Sequence, residues 1–251
     1  MTASGKRAIA LIPARAGSKR VEHKNIYRLN GHPLIAYTIS AAIDSGIFEK
    51  VFVSTESAEY AEISKYYGAD VEFLRPKEFA TDESPDIEWV EFSLREFSKR
   101  GQIFDYFSIL RPTSPLRTSS TIQRAFAEFL SDELVDSLRA VELCTQHPGK
   151  MWRIVENRLV PVMPRQDSGV DWFSSPTQTL PEVWVQNASL EFAHVRCVLN
   201  DRSITGKLIL PFKTTFPEGL DINIPEDISR IESLVSQSAE SLPRIKQRPF
   251  K

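Results

Sequence analysis

Blocks of apolar and polar residues alternate along the first 142 residues and predict strands and helices in turn. Short apolar runs predict buried strands at 8–13, 50–54, 71–74, 104–110 and 137–142. Helical spacing and capping residues predict helices from Pro33 to Gly46, from Ser57 to about Tyr67, at 85–100, and from Thr118 or Ser119 to Leu130. This alternation predicts a mostly parallel α/β sheet covered on both faces, with ligands bound at the carboxyl ends of its strands.

The pattern changes at about residue 144. Residues 144–190 are rich in Pro, Gln and Ser and contain only short strand-like pieces, at 151–155, 158–161 and 183–185, which predicts an inserted and less regular lobe. Strands at 189–194 and 207–211 then return to the main sheet, and 225–236 is a last amphipathic helix. The polar tail from about Ser238 is expected to be loose.

Composition fits a single α/β domain over residues 1–251 with an insertion. The chain is 41% hydrophobic and 25% charged, as in ordinary globular proteins. A formal net charge of −2 gives no basic face for nucleic acid, and no apolar run is long enough to span a membrane. Residues 1–7 are polar and Cys144 and Cys197 are isolated, so we expect a cytoplasmic protein with reduced thiols.

The loop after the first strand has the composition of an anion site. It contains Arg15, Gly17 and Ser18, followed by Lys24 and Asn25. Glycine allows close backbone approach to an anion, while backbone N–H groups, a hydroxyl and cations suit a triphosphate. The spacing is neither that of a Walker A loop nor G-x-G-x-x-G. The alternative is a solvated basic turn, but its place directly after a buried strand favours phosphate binding.

A second polar loop, Leu110–Arg117, also follows a predicted strand. Its two prolines restrict the backbone, and Thr113 and Ser114 offer hydroxyls for a base or a ribose. A plain proline-bounded connection is the alternative.

A third segment, Gly219–Asp227, contains candidate metal ligands. Asp221 and Asn223 are two residues apart in extended chain, so both point to one side, and their oxygens suit Mg²⁺ together with substrate phosphate. Asp227 is better explained as a charge at the start of the last helix.

Together these segments resemble the acylneuraminate cytidylyltransferase family. Members carry I-P-A-R-x-G-S-K, then K-N, a strand leading into L-Q-P-T-S-P-L-R, and a late D-I-D-x-x-x-D. This chain has the corresponding stretches at Ile12–Lys19, Lys24–Asn25, Leu110–Arg117 and Asp221–Asp227. The resemblance covers roughly residues 8–235 and implies a Rossmann-like, GT-A-like nucleotidyltransferase fold. It also implies transfer of CMP from CTP to the anomeric hydroxyl of a 2-keto-3-deoxy sugar acid of the sialic-acid-like (nonulosonic) class.

The family's residue roles carry over onto matching positions. The resemblance implies nucleotide binding by Ala14, Arg15, Gly17, Ser18, Lys24, Asn25, Arg75, Arg111, Thr113 and Ser114. It implies catalytic roles for Arg15, Lys24 and Asp221, magnesium ligation by Asp221 and Asn223, and sugar binding by Lys150, Arg165, Gln186 and Asn187. The inserted lobe pairs two subunits in the family, so a homodimer is expected.

Three departures from the family pattern bear on substrate choice. Arg111 replaces a Gln, and an arginine donates hydrogen bonds but accepts none. Asn223 replaces an Asp, which removes one negative charge from the metal site. Gln186-Asn187-Ala188 replaces Asn-Gly, and Thr177 and Val185 stand where sialate-activating members carry arginines, which suggests a related acid.

Other functions remain open at this stage. A CMP-Kdo synthetase shares the sheet and the opening loop but has a different metal motif. A guanylyltransferase relative is compatible with Arg111, since arginine reads the acceptor edge of guanine. A non-catalytic sugar-nucleotide-binding homologue has only Asn223 in its support.

Overall fold

The computed structural model of the chain describes residues 5, 7–166, 169–237 and 242–251. The chain divides into a main unit, Met1–Ala140 with Asn187–Lys251, and a second unit, Val141–Gln186, which covers most of the stretch expected as an inserted lobe. The expectations for residues 1–7 and for the start of the tail fall largely on residues 1–4, 6 and 238–241, outside this description. None of the described helices is long and apolar enough to cross a bilayer.

The described helices and strands follow the alternation that the sequence predicts. The helices are α1 (Leu34–Asp44), α2 (Ala58–Tyr66), α3 (Asp86–Lys99), α4 (Ser119–Leu130), α5 (Val195–Asp201) and α6 (Pro225–Gln237). The strands are β1 (Ala8–Pro13), β2 (Arg28–Leu29), β3 (His32–Pro33), β4 (Lys50–Ser54), β5 (Tyr106–Ile109), β6 (Ser137–Leu143), β7 (Trp152–Val155), β8 (Arg158–Pro161), β9 (Trp184–His194) and β10 (Ile209–Lys213).

A mixed, mostly parallel sheet of six strands, in the order β10-β6-β9-β5-β1-β4, forms the centre of the fold. β1 is an interior strand that lies between the edge strand β4 and β5 and pairs in parallel with both, while β9 runs antiparallel to β5. The carboxyl ends of β1, β4 and β5 therefore meet at one edge of the sheet, which confirms the predicted fold class.

β1 illustrates how the sheet is buried on both faces. Successive strand residues point to opposite faces, so Ala8, Ala10 and Ile12 pack with α1, α2 and α4. Ile9 and Leu11 pack with α3 and α5 on the other face. All five side chains are at most 1% exposed, as expected for a central parallel strand.

The last residues of the chain pack against the main unit, so the expectation of a loose tail is wrong for 242–251. Ile245 and Phe250 are partly buried against the core beside α1 and α2. The backbone carbonyl of Arg244 accepts a hydrogen bond from Ser40, and Lys246 pairs with Asp44 at 2.8 Å. The tail is polar on average, but its few apolar side chains pack on the apolar surface of the main unit.

The second unit contains a two-stranded hairpin of β7 and β8. Glu156 and Asn157 at its tip both have positive φ, 48° and 60°, as a two-residue hairpin turn with the right twist requires. Both predicted strands of the hairpin are confirmed.

Two other predictions need correction, and one helix, α5, is absent from the predictions. Residues 71–74 form no strand, because only Asp70 bridges β4 and the backbone N–H of Arg75 then bonds to Thr55 after the end of β4. The pieces at 183–185 and 189–194 are parts of one strand, β9. The short helix α5 follows it without any break that the sequence signals.

Candidate active site

A cleft of about 660 Å³ opens in the main unit beside the loops that follow β1 and β5. These are called here the β1 loop (residues 14–25) and the β5 loop (residues 110–117). The predicted site residues that line this cleft are Arg15, Ser18, Lys24, Asn25, Arg75, Arg111, Thr113, Asp221 and Asn223. Segments more than 200 residues apart in sequence thus meet at one edge of the sheet.

Internal hydrogen bonds hold the β1 loop in place. The buried Asn25 side chain donates to the backbone carbonyl of Arg15 at 2.9 Å. The backbone N–H of Ala14 donates to Ser54 at the end of β4, and that of Ala16 donates to Glu56. Asn25 therefore supports the loop from behind while the Arg15 and Ser18 side chains line the cleft.

Lys24 connects the β1 loop to the candidate metal segment. Its Nζ donates to the backbone carbonyl of Ile222 at 2.8 Å, between Asp221 and Asn223. Burial lowers the pKa of Lys24, and the nearby cations Arg20 and Arg15 add to that effect, while the charge of Asp221 opposes it. The lysine is thus a cation partly removed from water, which strengthens its interaction with an incoming anion.

A fully buried arginine fixes the β5 loop. Arg117 donates to the backbone carbonyls of Arg111 and Ser189 and to the Thr38 hydroxyl, which ties the loop to β9 and α1. Burial lowers the pKa of Arg117 to about 9, so it remains a cation at neutral pH. The carbonyl of Thr113 accepts from the backbone N–H of Ile222, which joins this loop to the metal segment.

Asp221 has the geometry of an incomplete metal ligand. Its Oδ2 accepts from the Asn223 side chain at 2.9 Å, whereas its buried Oδ1 has no hydrogen-bond partner among the residues that the structure describes. A buried carboxylate oxygen without a donor is costly unless a ligand completes it. The described residues contain no cluster of three or more His, Cys, Asp or Glu side chains that could hold a metal. One carboxylate, one amide oxygen and substrate phosphates nevertheless fit Mg²⁺.

Asp227 serves the backbone. Its carboxylate accepts from the N–H groups of Asn223, at 2.7 Å, and Ile224, at 3.0 Å, directly before α6. This agrees with its interpretation as a charge at the helix start.

Arg75 lines the cleft but is bound to its own wall. Its guanidinium donates to the side chain and backbone carbonyl of Ser54 and lies over the ring of Trp89 at 4.7 Å. Burial lowers the pKa of Arg75 to about 10. These contacts hold the side chain against the wall of the cleft.

Asp82 is a cleft residue that the sequence did not single out. Its carboxylate pairs with Arg15 at 2.6 Å and with Lys19 at 2.5 Å. Hydrogen bonds from Lys19 and Arg15 lower the pKa of Asp82. The Asp82 carboxylate thus pairs with two cations that a bound phosphate would also contact.

Asp86, which lines the cleft, and the buried Glu191 are two further residues that the sequence does not single out. Arg111 pairs with Asp86 at 2.6 Å and with Glu191 at 3.3 Å, and Glu191 pairs with Arg139 at 3.0 Å. A buried glutamate on β9 needs a cation nearby. In the sequence, the only indication of such a pair is that Arg111 stands where the family has a glutamine.

Several predicted site residues do not line this cleft. Ala14 and Ser114 are fully buried, and Gly17 is not part of the wall. The side chain of Asn187 bonds to Thr214 and Ser189, although its neighbour Ala188 does line the cleft.

The remaining sugar-binding candidates, Lys150, Arg165 and Gln186, belong to the second unit. Within that unit, Lys150 donates to the carbonyls of Phe173 and Ser175. Arg165 pairs with Asp171 and lies over the Phe173 ring. Both cations therefore have partners in their own unit.

Comparison with known proteins identifies related sequences. A family model described as Cytidylyltransferase matches residues 9–163. The chain is 33% identical over 241 residues to CMP-N,N'-diacetyllegionaminic acid synthase of Legionella pneumophila, covering 94% of this chain and 99% of that protein. It is 34% identical over 125 residues to pseudaminic acid cytidylyltransferase of Campylobacter jejuni, covering 50% of this chain and 54% of that protein.

A third relative is much longer than this chain. N-acylneuraminate cytidylyltransferase of Escherichia coli is 44% identical over 119 residues, a match that covers 47% of this chain and 27% of that protein. Among solved structures, CMP:2-keto-3-deoxy-manno-octonic acid synthetase complexed with CTP superposes with a TM-score of 0.69 at 14% identity, covering 92% of this chain and 99% of that one. This last likeness shows a shared nucleotidyltransferase fold.

Proposed function

This chain belongs to the cytidylyltransferase family, and from that premise we propose that it transfers CMP from CTP to the anomeric hydroxyl of a nonulosonic acid, releasing pyrophosphate. One observation carries the proposal: the cleft places the cations Arg15 and Lys24 together with Asp221, whose buried Oδ1 has no hydrogen-bond partner in the described part of the chain. A cationic loop beside an incompletely bonded carboxylate is what a metal-bound triphosphate requires.

In this assignment the β1 loop binds the triphosphate. Arg15, Ser18 and Lys24 donate to phosphate oxygens, and Asn25 keeps the loop in position through its bond to the Arg15 carbonyl. Arg75 and the β5 loop form the wall that we assign to the nucleoside. Fixed donors cost little reorganisation during the reaction, which favours charge stabilisation in the transition state.

We assign a magnesium ion to Asp221 and Asn223. When bound there, Mg²⁺ would neutralise charge on the phosphates of CTP. The anomeric hydroxyl oxygen forms a bond to the α-phosphorus, the bond from that phosphorus to the oxygen that bridges it to the β-phosphate breaks, pyrophosphate leaves, and the hydroxyl proton passes to solvent. Asp221 orients that hydroxyl, and Lys24 stabilises the charge that develops on the phosphates.

A nonulosonic acid is the acceptor we favour. The relative that matches over nearly its whole length carries the name of a diacetyllegionaminate-activating synthase. A Kdo synthetase is similar in fold alone. For the sugar side of the reaction we retain Lys150, Arg165, Gln186 and Asn187 as candidates.

We further infer that the protein is a homodimer joined through the second unit. Four apolar side chains of this unit, Ile154, Val155, Leu159 and Val162, are 75%, 48%, 62% and 49% exposed. Ile154 and Leu159 lie opposite each other on one face of the hairpin, whereas Val155 and Val162 lie on the other face. An exposed apolar pair such as Ile154 and Leu159 is typical of an association surface. A second copy is the partner that the family relationship suggests.

Size-exclusion chromatography with light scattering measures the molar mass of the protein and so tests whether it is a dimer. We expect Ile154→Asp to convert a dimer into a monomer, because the charge would have to be desolvated in the interface. Leu134→Asp is the matched control, since Leu134 is 77% exposed on the main unit. A monomeric wild-type protein, or a dimer that Ile154→Asp leaves intact, would remove this proposal.

We place the reaction in the cytosol, without nucleic-acid or membrane partners. Cys144 and Cys197 are both free thiols, as is usual in reducing compartments, and the net charge is near neutral.

Pyrophosphate release with magnesium tests the proposed reaction. CTP, GTP, UTP and ATP are each combined with N-acetylneuraminate, legionaminate, pseudaminate, Kdn and Kdo. Turnover with CTP and a nonulosonic acid is the expected result. Turnover only with GTP would overturn the base assignment, turnover only with Kdo would overturn the acceptor, and nucleotide binding without turnover would indicate a non-catalytic homologue.

A further inference from the structure

A chain of alternating charges lies in the wall of the cleft. Arg139 pairs with Glu191, Glu191 with Arg111, and Arg111 with Asp86. Glu191 is 4% exposed, whereas Asp86 and Arg111 line the cleft. The buried Glu191 therefore holds the half-buried pair of Arg111 and Asp86 in place.

The charges in this cluster balance, because two arginines face two carboxylates. The β1 loop, in contrast, brings Arg15, Lys19, Arg20 and Lys24 to the cleft. A balanced cluster offers little net attraction to a phosphate or a carboxylate. It is suited to a neutral polar group.

The cluster retains hydrogen-bonding capacity toward the cleft. In the described part of the chain, Arg111 uses only Nη2 in its bonds to Asp86 and Glu191, so its Nη1 and Nε hydrogens remain as donors. Asp86 accepts from Arg111 and, at 2.8 Å, from Trp89 Nε1, and a carboxylate has further lone pairs. A donor and an acceptor thus stand side by side.

The acceptor stays ionised at neutral pH. Burial alone would raise the pKa of Asp86, but the charge of Arg111 and the hydrogen bonds from Arg111 and Trp89 outweigh it and lower the pKa. The Trp89 ring, which also packs under Arg75, prevents the carboxylate from rotating away.

We propose that Asp86 and Arg111 form a paired subsite that recognises a neutral edge of the substrate carrying adjacent N–H and acceptor groups, with Asp86 accepting and Arg111 donating. This inference rests on the proposed function, which supplies two sources of such an edge. Cytosine offers its exocyclic amine beside a ring nitrogen. An N-acylated nonulosonic acid offers an amide N–H beside the hydroxyl of the neighbouring ring carbon, because the N–H and C=O of one trans amide point to opposite sides. Uracil presents the reversed pattern, and Kdn lacks the amide.

Steady-state kinetics of Asp86→Asn and Arg111→Lys test the subsite. The first removes the charge of the acceptor at constant volume, and the second keeps the charge but loses the planar donor geometry. Glu91→Gln is the matched control, because Glu91 also lies on α3 and pairs with Arg95 and Arg202 away from the cleft lining. KM is measured separately for CTP and for the acceptor, and melting temperature checks folding.

Two results would support the proposal and identify the source. If cytosine is read here, KM for CTP rises about tenfold or more in both variants and the preference for CTP over UTP falls. If the acyl amide is read, KM for the acceptor rises by a similar factor and the preference over Kdn falls.

The proposal is overturned if both KM values stay within about twofold of the control and neither preference changes, since loss of a charged hydrogen bond should exceed that. Failure of the proposed function looks different, because the wild-type protein would then show no turnover with CTP and any acid.

Discussion

The main unit and the second unit bury their apolar side chains to very different extents. In the main unit the central strand β1 is enclosed on both faces, and Ile9, Leu11 and Ile12 have no exposed surface. In the second unit the strand β7 is exposed along its whole length. The main unit thus contains its own core, whereas the hairpin of the second unit lacks one.

This difference in burial explains why the rigidly held side chains of the candidate site lie in the main unit. Arg117, Asn25 and Asp227 fix the loops around the cleft through bonds that lie within the main unit. Sites need such supporting contacts to keep their geometry. We therefore expect substitutions in the main unit to alter stability or turnover, and substitutions on the hairpin to alter association.

Truncation of one apolar side chain in each unit gives the largest contrast. Phe52→Ala removes a fully buried ring and should lower the free energy of unfolding by about 3–5 kcal/mol. Leu159→Ala removes a side chain that is 62% exposed and should change the free energy of unfolding by about 0.5 kcal/mol or less. Urea denaturation at low protein concentration measures both. Equal losses would show that the second unit has a core of its own.

Lys24→Met extends the contrast to catalysis. Loss of the cation beside Asp221 should lower kcat/KM for CTP by about 100-fold, since fixed charges in such sites contribute strongly to the transition state. Lys246→Met, which breaks only a surface pair with Asp44, is the control and should be neutral. Near-normal turnover of the Lys24 variant would exclude it from the phosphate site.

The lowered pKa of Lys24 predicts a pH dependence. Because burial favours the neutral amine, the cation is lost as pH rises at a value below the ordinary 10.5. The pH profile of kcat/KM for CTP should therefore decline on its alkaline side, while Lys24→Arg should move that decline to higher pH. An identical alkaline limb in both proteins would assign the titration to another group.

Asp82→Asn should have the smallest effect, and in the favourable direction. The Asp82 carboxylate pairs with Arg15 and Lys19, so it competes with phosphate for these cations. Removing its charge should lower KM for CTP about two- to fivefold, as is reasonable for an exposed ion pair. A higher KM would mean that Asp82 contacts the substrate.

The sequence predicted most elements of the main sheet because their signals are local. β1 and β4 appear as apolar runs, and the Ser57 and Thr118 caps start α2 and α4. The segment 71–74 satisfies the pattern of a strand, since Val71 is buried, but the chain pairs with β4 only at Asp70. The packing of 242–251 depends on a surface formed by distant residues, so local composition did not reveal it.

The site was predicted where motifs lie directly after strands. Arg15 and Arg111 meet in one cleft because the parallel strands β1 and β5 end at one edge. Asp221 reaches the same cleft because the next residue, Ile222, bonds to Thr113 and Lys24. The sequence does not single out three carboxylates of the site, because each of them pairs with an arginine on another loop: Asp82, Asp86 and Glu191. A lone acidic residue on a helix or strand does not indicate its partner.

The most direct test of the account is a side-by-side assay of wild-type protein and Asp221→Asn with CTP, magnesium and a nonulosonic acid. The substitution keeps the size of the side chain and removes the charge at the partnerless Oδ1. We predict a CMP-linked sugar and pyrophosphate from the wild type, and a rate at least about 100-fold lower from a variant that is still folded and binds CTP. A folded variant that retains turnover within about tenfold of wild type would contradict the assignment of Asp221 and, with it, the proposed reaction site.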